Sequence, residues 1–196
     1  WVGTCEYRKL WLNNLYEKKL KFSAKSLFSG LLKKNNKIFS SCDAVLVQPI
    51  NFKNESINQQ FKKVHNVDLI KISMNFINDN EKSGFKDFLQ KNKLSVPPLF
   101  ITRVDVFNKF CENIFPILEK SYNYFKENNL CNGYNLRLQA CFMERYASYW
   151  FETHCKMKYL SHARLGSVFL SNKINKYINP IKIPFTLRMY PTIHKY

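Results

Sequence analysis

The 196-residue chain has no apolar run of about 18 residues or more, so the sequence offers no helix long enough to cross a bilayer. Acidic residues are scarce: 14 Asp and Glu stand against 31 Lys and Arg, a formal charge of +17 that favours phosphate-bearing, nucleic-acid or anionic-lipid partners. No C-x-x-C pair occurs among the six cysteines at 5, 42, 111, 131, 141 and 155, which argues against a zinc site or a disulfide framework and for buried thiols of a reducing compartment. His154, Cys155 and His162 are the nearest approach to a metal-ligand set, and their spacing fits no familiar site. The chain lacks an initiator Met and a charged-then-apolar leader. It opens inside what reads as a core strand, so it is expected to be a piece that begins part-way into a sheet. Internal repeats, linkers and an interleaved aromatic-basic nucleic-acid motif are also missing.

What is present is apolar and aromatic. Apolar residues make up 45% of the chain and include 17 Phe, 11 Tyr and 3 Trp, enough to fill a sizeable core in one domain over residues 1–196. Most cations are Lys scattered among Asn, Ile and Phe, a mixture that coding bias produces as readily as selection for a basic patch. The densest group, Lys18, Lys19, Lys21 and Lys25 followed by Lys33, Lys34 and Lys37, alternates with leucines and predicts one or two basic amphipathic helices over residues 10–32. Such a face is either plainly solvated or makes peripheral contact with acidic lipid.

Strands and helices alternate along the chain. Trp1 to Cys5 predicts a buried strand, and Cys42 to Val47, closed by Pro49, is the continuous apolar run of a buried parallel-type strand. Asn54-Glu55-Ser56 opens a helix carrying Phe61, Val64 and His65, and Asp68 is placed to cap the next through Ile70, Ile72 and Met74. A helix crosses Phe85 and Leu89. Pro97-Pro98 then forces extended chain into a third strand over 99–103. Val104 to Asn128 reads as a long helix that Pro116 should kink, Asn132-Gly133 as a turn, and Leu136 to His154 as the last helix. Beyond Lys156 the chain reads as a wrapping tail with one or two short edge strands. The pattern predicts an α/β fold, helix-rich, with a mostly parallel sheet flanked by helices.

Two segments set ionic side chains against an apolar element. In Trp1 to Lys9, the strand runs into Glu6, Tyr7 and Arg8 at its C-terminal end, where open α/β sheets place a ligand crevice. In Arg137 to Tyr146, helical spacing puts Arg137, Cys141, Glu144 and Arg145 on neighbouring faces. Either could be an ordinary ion pair; occurring together they suggest a sugar-nucleotide site.

Residues 1–9, Asp43 to Val47, the His65–Asp68–Leu69 step, Phe100-Ile101, Phe107 to Leu118, and Arg137, Ala140, Phe142, Glu144 and Arg145 occur in an order that resembles a bacterial glycosyltransferase-like family. That family, a domain of unknown function placed with the GT-A nucleotide-diphospho-sugar transferases, occurs in capsule and surface-polysaccharide clusters, and the likeness spans residues 1–155. The resemblance implies a GT-A-like sheet whose first strands are missing here. It implies transfer of a sugar from a nucleotide-sugar to a growing capsule or lipooligosaccharide glycan, or to a lipid-linked acceptor, in the cytoplasm at the inner membrane, with no nucleic-acid partner. Glu6, where the family usually has His, would be an oxygen ligand for Mg²⁺ or Mn²⁺; Arg8 with Lys9, the preferred assignment, would instead neutralise the diphosphate leaving group. Tyr7, His65, Arg137 and Arg145 complete the donor-binding candidates. His65 could instead be a base or merely structural. Glu144 and Asp105 are the candidate catalytic carboxylates, as acceptor base or sugar-hydroxyl ligands, with a structural pair and a helix cap as their respective alternatives. Two other classes stay open: an inactive GT-A-like module, and a basic nucleic-acid-binding protein.

Overall fold

A computed structural model describes residues 1–4, 9–13, 31–95, 99–166 and 186–188. In chain order the elements are β1 (Val2–Gly3), β2 (Lys9–Trp11), β3 (Ala44–Val47), β4 (Ile50–Asn51), α1 (Ile57–His65), α2 (Leu69–Ser73), α3 (Asp79–Gln90), β5 (Lys93–Leu94), β6 (Phe100–Thr102), α4 (Val104–Glu127), α5 (Leu138–His154), β7 (Met157–Leu160), β8 (His162–Gly166) and β9 (Thr186–Arg188), with 3₁₀ turns at Lys37–Ser40 and Gly133–Arg137. The contacts divide the chain into two compact units. One comprises Trp1–Thr4 and Lys37–Tyr159, the other Cys5–Asn36 and Leu160–Tyr196.

The larger unit is built on a four-stranded sheet in the order β1-β6-β3-β7. All four residues of β3 are buried, as its unbroken apolar run requires of a strand covered on both faces. The sheet is small and mixed rather than mostly parallel: β6 runs antiparallel to both β1 and β3, with Ile101 opposite Gly3 and Val45. An apolar run reports burial on two faces; it carries no information about a neighbour's direction. The opening segment differs from the buried strand expected. β1 holds only Val2 and Gly3 at one end of the strand order, and Trp1 is exposed, leaning on Phe39 with ring centroids 4.9 Å apart.

The helices form where their caps and spacing direct. Ser56 caps α1 in a complete capping box with Gln59, and Asn66 ends it in the left-handed conformation at φ 55°. Asp68 caps α2 by accepting from the Lys71 amide. Helix α4 runs from Val104 to Glu127 with Pro116 inside it. The last helix starts two residues later than its apolar spacing suggests, because Gly133–Arg137 closes as a 3₁₀ turn from Gly133 at φ 50°. Met157–Leu160, in the segment expected to hold one or two short edge strands, is the short strand at the other end of the four-stranded sheet's order.

Aromatic rings dominate the core. Phe76, Phe85, Phe125, Phe142 and Tyr146 are all buried, with Phe76 and Phe85 each meeting Phe142 edge-on. Each such ring contributes about 1.5–3 kcal/mol by leaving water, so this cluster holds α3, α4 and α5 together. Gly84 lets α3 approach α5 closely, since a Cβ there would lie 2.9 Å from the Tyr149 hydroxyl.

In the smaller unit, β2 pairs antiparallel with β8, β8 with β9, and Leu12 bridges to Leu31. Leu10 and Trp11 are therefore strand, not the start of a basic helix. The rest of that expected helix, residues 14–30, lies outside the described residues. Among the described residues no helix is long and apolar enough to cross a membrane.

Candidate functional site

The α1–α5 contact brings together three sequence candidates: His65, Glu144 and Arg145. The pattern of α5 buries Leu138, Phe142, Tyr146 and Tyr149, and Arg145 falls on the edge of that stripe with only 6% exposure. A guanidinium in so dry a place needs partners in exchange for its lost hydration. Its Nη1 donates to the Cys141 carbonyl at 2.9 Å and to Glu144 Oε2 at 3.1 Å, and its Nη2 donates to Gln60 Oε1 at 2.9 Å. The Phe61 ring carries its flat face, 5.0 Å from the guanidinium carbon. Gln60 and Phe61 are successive residues of α1, so one turn of that helix supplies both the acceptor and the ring.

His65, the last residue of α1, packs on the same Phe61 ring at 4.5 Å between centroids. Its Nδ1 lies 3.0 Å from Asn135 Oδ1, and Asn135 Nδ2 donates to the His65 carbonyl, also at 3.0 Å. Burial lowers the imidazole pKa below 6.5; the Asn135 bond offsets this in part, while the Arg145 charge lowers it further. The Cys141 thiol moves the other way, pushed up by burial and by Glu144. Both effects disfavour its thiolate.

The remaining candidates lie elsewhere. Arg137 ends the 3₁₀ turn and is exposed; its charge reaches Cys141, but it takes no part in the hydrogen bonds just described. Asp105 sits in the first turn of α4, not at its N-cap, and binds Arg103 through both carboxylate oxygens at 3.1 and 2.9 Å. That arginine holds it below the usual carboxylate range. Both Asp105 and Arg103 act electrostatically on Cys155 at the end of α5. Glu144 lies 11 residues earlier on that helix (155 − 144), roughly 16 Å along its axis. Asp105 and Glu144 therefore do not form a catalytic pair. Glu6, Tyr7 and Arg8 lie outside the described residues, and of Lys9 only the backbone is described, opposite Arg164.

Among the described residues no group of three or more His, Cys, Asp or Glu is placed to hold a metal ion. His154 instead contacts the Trp150 carbonyl through Nδ1 at 2.9 Å and stacks on the Trp150 ring. The five described cysteines are free thiols.

Two participants, Gln60 and Asn135, had no signal in the sequence, because neutral amides carry neither charge nor apolar period. The four-residue spacing of Phe61 and His65 was the available hint that the imidazole and a ring share a helix face.

No curated protein and no solved structure matches the chain. Residues 1–156, which include both ionic segments, match the family described as Domain of unknown function (DUF4422), and the chain belongs to that family.

Proposed function

We propose that the protein is a GT-A-type glycosyltransferase that moves a sugar from a nucleotide-sugar to a capsule or lipooligosaccharide glycan, working in the cytoplasm at the inner membrane. The observation that carries this reading is the convergence of His65 and Arg145 on the Phe61 ring, with Glu144 bonded to Arg145: an imidazole, a desolvated cation and its carboxylate partner. Sugar transfer needs such groups. The acceptor oxygen bonds the anomeric carbon, its proton passes to a base, and the bond to the diphosphate breaks with its electron pair leaving on the diphosphate.

The geometry favours Glu144 as the substrate-facing group and Arg145 as its support. Both terminal nitrogens of Arg145 are engaged inside the protein, whereas the Glu144 side chain keeps 20% exposure. The resemblance assigns the diphosphate to Arg8 and Lys9, and Mg²⁺ or Mn²⁺ at Glu6 would supply further charge neutralisation when bound. The net charge of +17 suits both an anionic donor and an acidic lipid surface.

Calorimetric titration with UDP-, GDP- and CDP-sugars, with and without Mn²⁺, tests the reading. Micromolar binding to one donor, weakened about tenfold by Arg8→Ala, is expected from loss of a charge-assisted phosphate contact. Absence of binding by the folded protein to every donor would overturn it and leave the inactive-module reading.

A further inference from the structure

The C-terminal end of α4 carries a cleft bordered by polar groups that the fold leaves uncommitted. The helix closes in a Schellman arrangement: the Leu130 amide donates to the Phe125 carbonyl at 2.9 Å and the Asn129 amide to the Lys126 carbonyl at 3.1 Å, with Asn129 left-handed at φ 52°. The chain then turns back through Asn132, whose Nδ2 donates to the Asn129 carbonyl at 2.9 Å. Here lies a cavity of about 290 Å³, lined by Tyr122, Phe125, Lys126, Asn129, Cys131 and Asn132. Among the described residues, the Tyr122 hydroxyl, the Lys126 ammonium and the Asn129 side-chain amide take part in no hydrogen bond or ion pair. The bond made by Asn132 Nδ2 leaves its Oδ1 able to accept.

We propose that this cleft binds one sugar ring of the acceptor glycan, with the Tyr122 ring against the apolar face of the sugar and Lys126, Asn129 and Asn132 on its hydroxyls. That the sugar belongs to an acceptor rests on the transferase reading above; the binding of a sugar ring does not.

Chemistry, size and position agree with that assignment. A pyranose has C–H groups on its faces and hydroxyls around its rim, so it needs a flat apolar surface flanked by donors and acceptors. Tyr122 is 50% exposed and offers its ring to solvent. Phe125 and the half-buried Cys131, whose thiolate burial disfavours, add uncharged surface. A volume of about 290 Å³ stands at the small end of ligand cavities, room for one ring and too little for a nucleotide-sugar. Gly133 keeps the neighbouring turn open: it sits at φ 50°, and a Cβ there would meet nothing within 4 Å. Asn132 begins the 3₁₀ turn whose Asn135 bonds His65, and one turn, roughly 6 Å of rise, separates the two asparagines. A sugar held at Asn132 therefore lies one turn from the His65 side of the candidate site, the place of a ring next to the one that reacts.

Titration of ¹⁵N-labelled protein with glucose, galactose, N-acetylglucosamine and glucuronic acid, followed by ¹H–¹⁵N spectra, reads the site directly. At least one sugar is expected to shift amides between Tyr122 and Asn132 with a millimolar dissociation constant, the scale of a small ligand with few contacts. Tyr122→Ala should weaken that binding about tenfold. So should Asn129→Gly, which keeps the left-handed backbone and deletes only the side-chain amide; thermal melting confirms that each variant is folded. No shift with any of the sugars, or shifts undiminished in both variants, would overturn the proposal. A response to inorganic phosphate alone would make the cleft an anion site and overturn it too.

The acceptor role is read on Tyr122→Ala with the panel of UDP-, GDP- and CDP-sugars. Donor affinity is expected within about twofold of the unaltered protein, because the cleft holds no part of the donor. A tenfold or greater loss would place the cleft in the donor site and overturn the acceptor role. Sugar binding at the cleft by a protein that binds no nucleotide-sugar would overturn the acceptor role and the transferase reading together and leave the sugar site standing. Donor binding without sugar binding would overturn the cleft proposal and leave the transferase reading intact.

Discussion

Two arginines of this protein each hold a carboxylate, and their surroundings give the two arrangements different consequences. Arg103 lies at the end of β6, where it links Asp43 and Asp105; its side chain is 47% exposed, and water competes for every bond it makes. Arg145 makes a similar number of bonds with 7% exposure. There the helix carbonyl, the Gln60 amide and the Phe61 ring replace lost hydration, and each becomes indispensable because no water stands in for it. The sequence shows two Arg beside two acids; the fold makes one a surface tether and the other a buried strut.

Substitutions can break this contrast, and the largest effect is expected at the strut. Arg145→Ala should lower unfolding free energy by about 3 kcal/mol, read from urea denaturation, because it removes the partner of a largely buried carboxylate and empties the Phe61 face. A loss no larger than that of a surface pair would mean that water reaches the site freely. Gln60→Leu tests one bond of the same strut and should cost about 1–2 kcal/mol, since one guanidinium nitrogen is left in a dry setting without its acceptor.

The imidazole beside Arg145 sharpens the comparison through pH. Its folded pKa is depressed, so between that value and 6.5 the unfolded chain binds more protons than the folded one. The stability it contributes is complete above 6.5 and is lost as pH falls through the folded value. Urea midpoints taken from about pH 8 to about pH 5 should show this decline, with a shallower one in His65→Gln. An identical profile in the variant would assign the acid sensitivity to other groups. The smallest effect is expected at the exposed tether: Arg103→Ala should leave the urea midpoint within measurement error, and added salt should not separate it from the unaltered protein.

Much of the larger unit was legible from local chemistry. Ser56 and Asp68 are caps because their side chains reach backbone amides two or three residues ahead, an interaction that needs no tertiary partner. The positions of β3, α3, β6, α4 and α5 followed from apolar period and from the extended chain demanded by Pro97-Pro98. The start of α5 was misplaced because a 3₁₀ turn and an α-helix share nearly the same spacing over five residues.

The candidate site was legible in part. Glu144 and Arg145 stood out as adjacent charges in an apolar helix and His65 as a titratable residue at a helix end; Arg145 bonds Glu144 and shares the Phe61 ring with His65. Asp105 was the weaker candidate, readable as a helix cap; its carboxylate is bound to Arg103, a neighbour two residues away.

By itself the sequence determined where the capped helices α1 and α2 begin, that β3 is buried on both faces, and that this is a basic, aromatic-rich chain of α/β type. These follow from cap chemistry, periodicity and composition, all local. Only the tertiary structure decided that β6 runs antiparallel to β3, that Arg145 and not Arg137 is buried, and that Gln60 bonds Arg145 and Asn135 bonds His65. Those outcomes depend on which surfaces meet after the chain returns on itself, 70 residues apart for His65 and Asn135 and 85 for Gln60 and Arg145, and no local pattern encodes such a meeting.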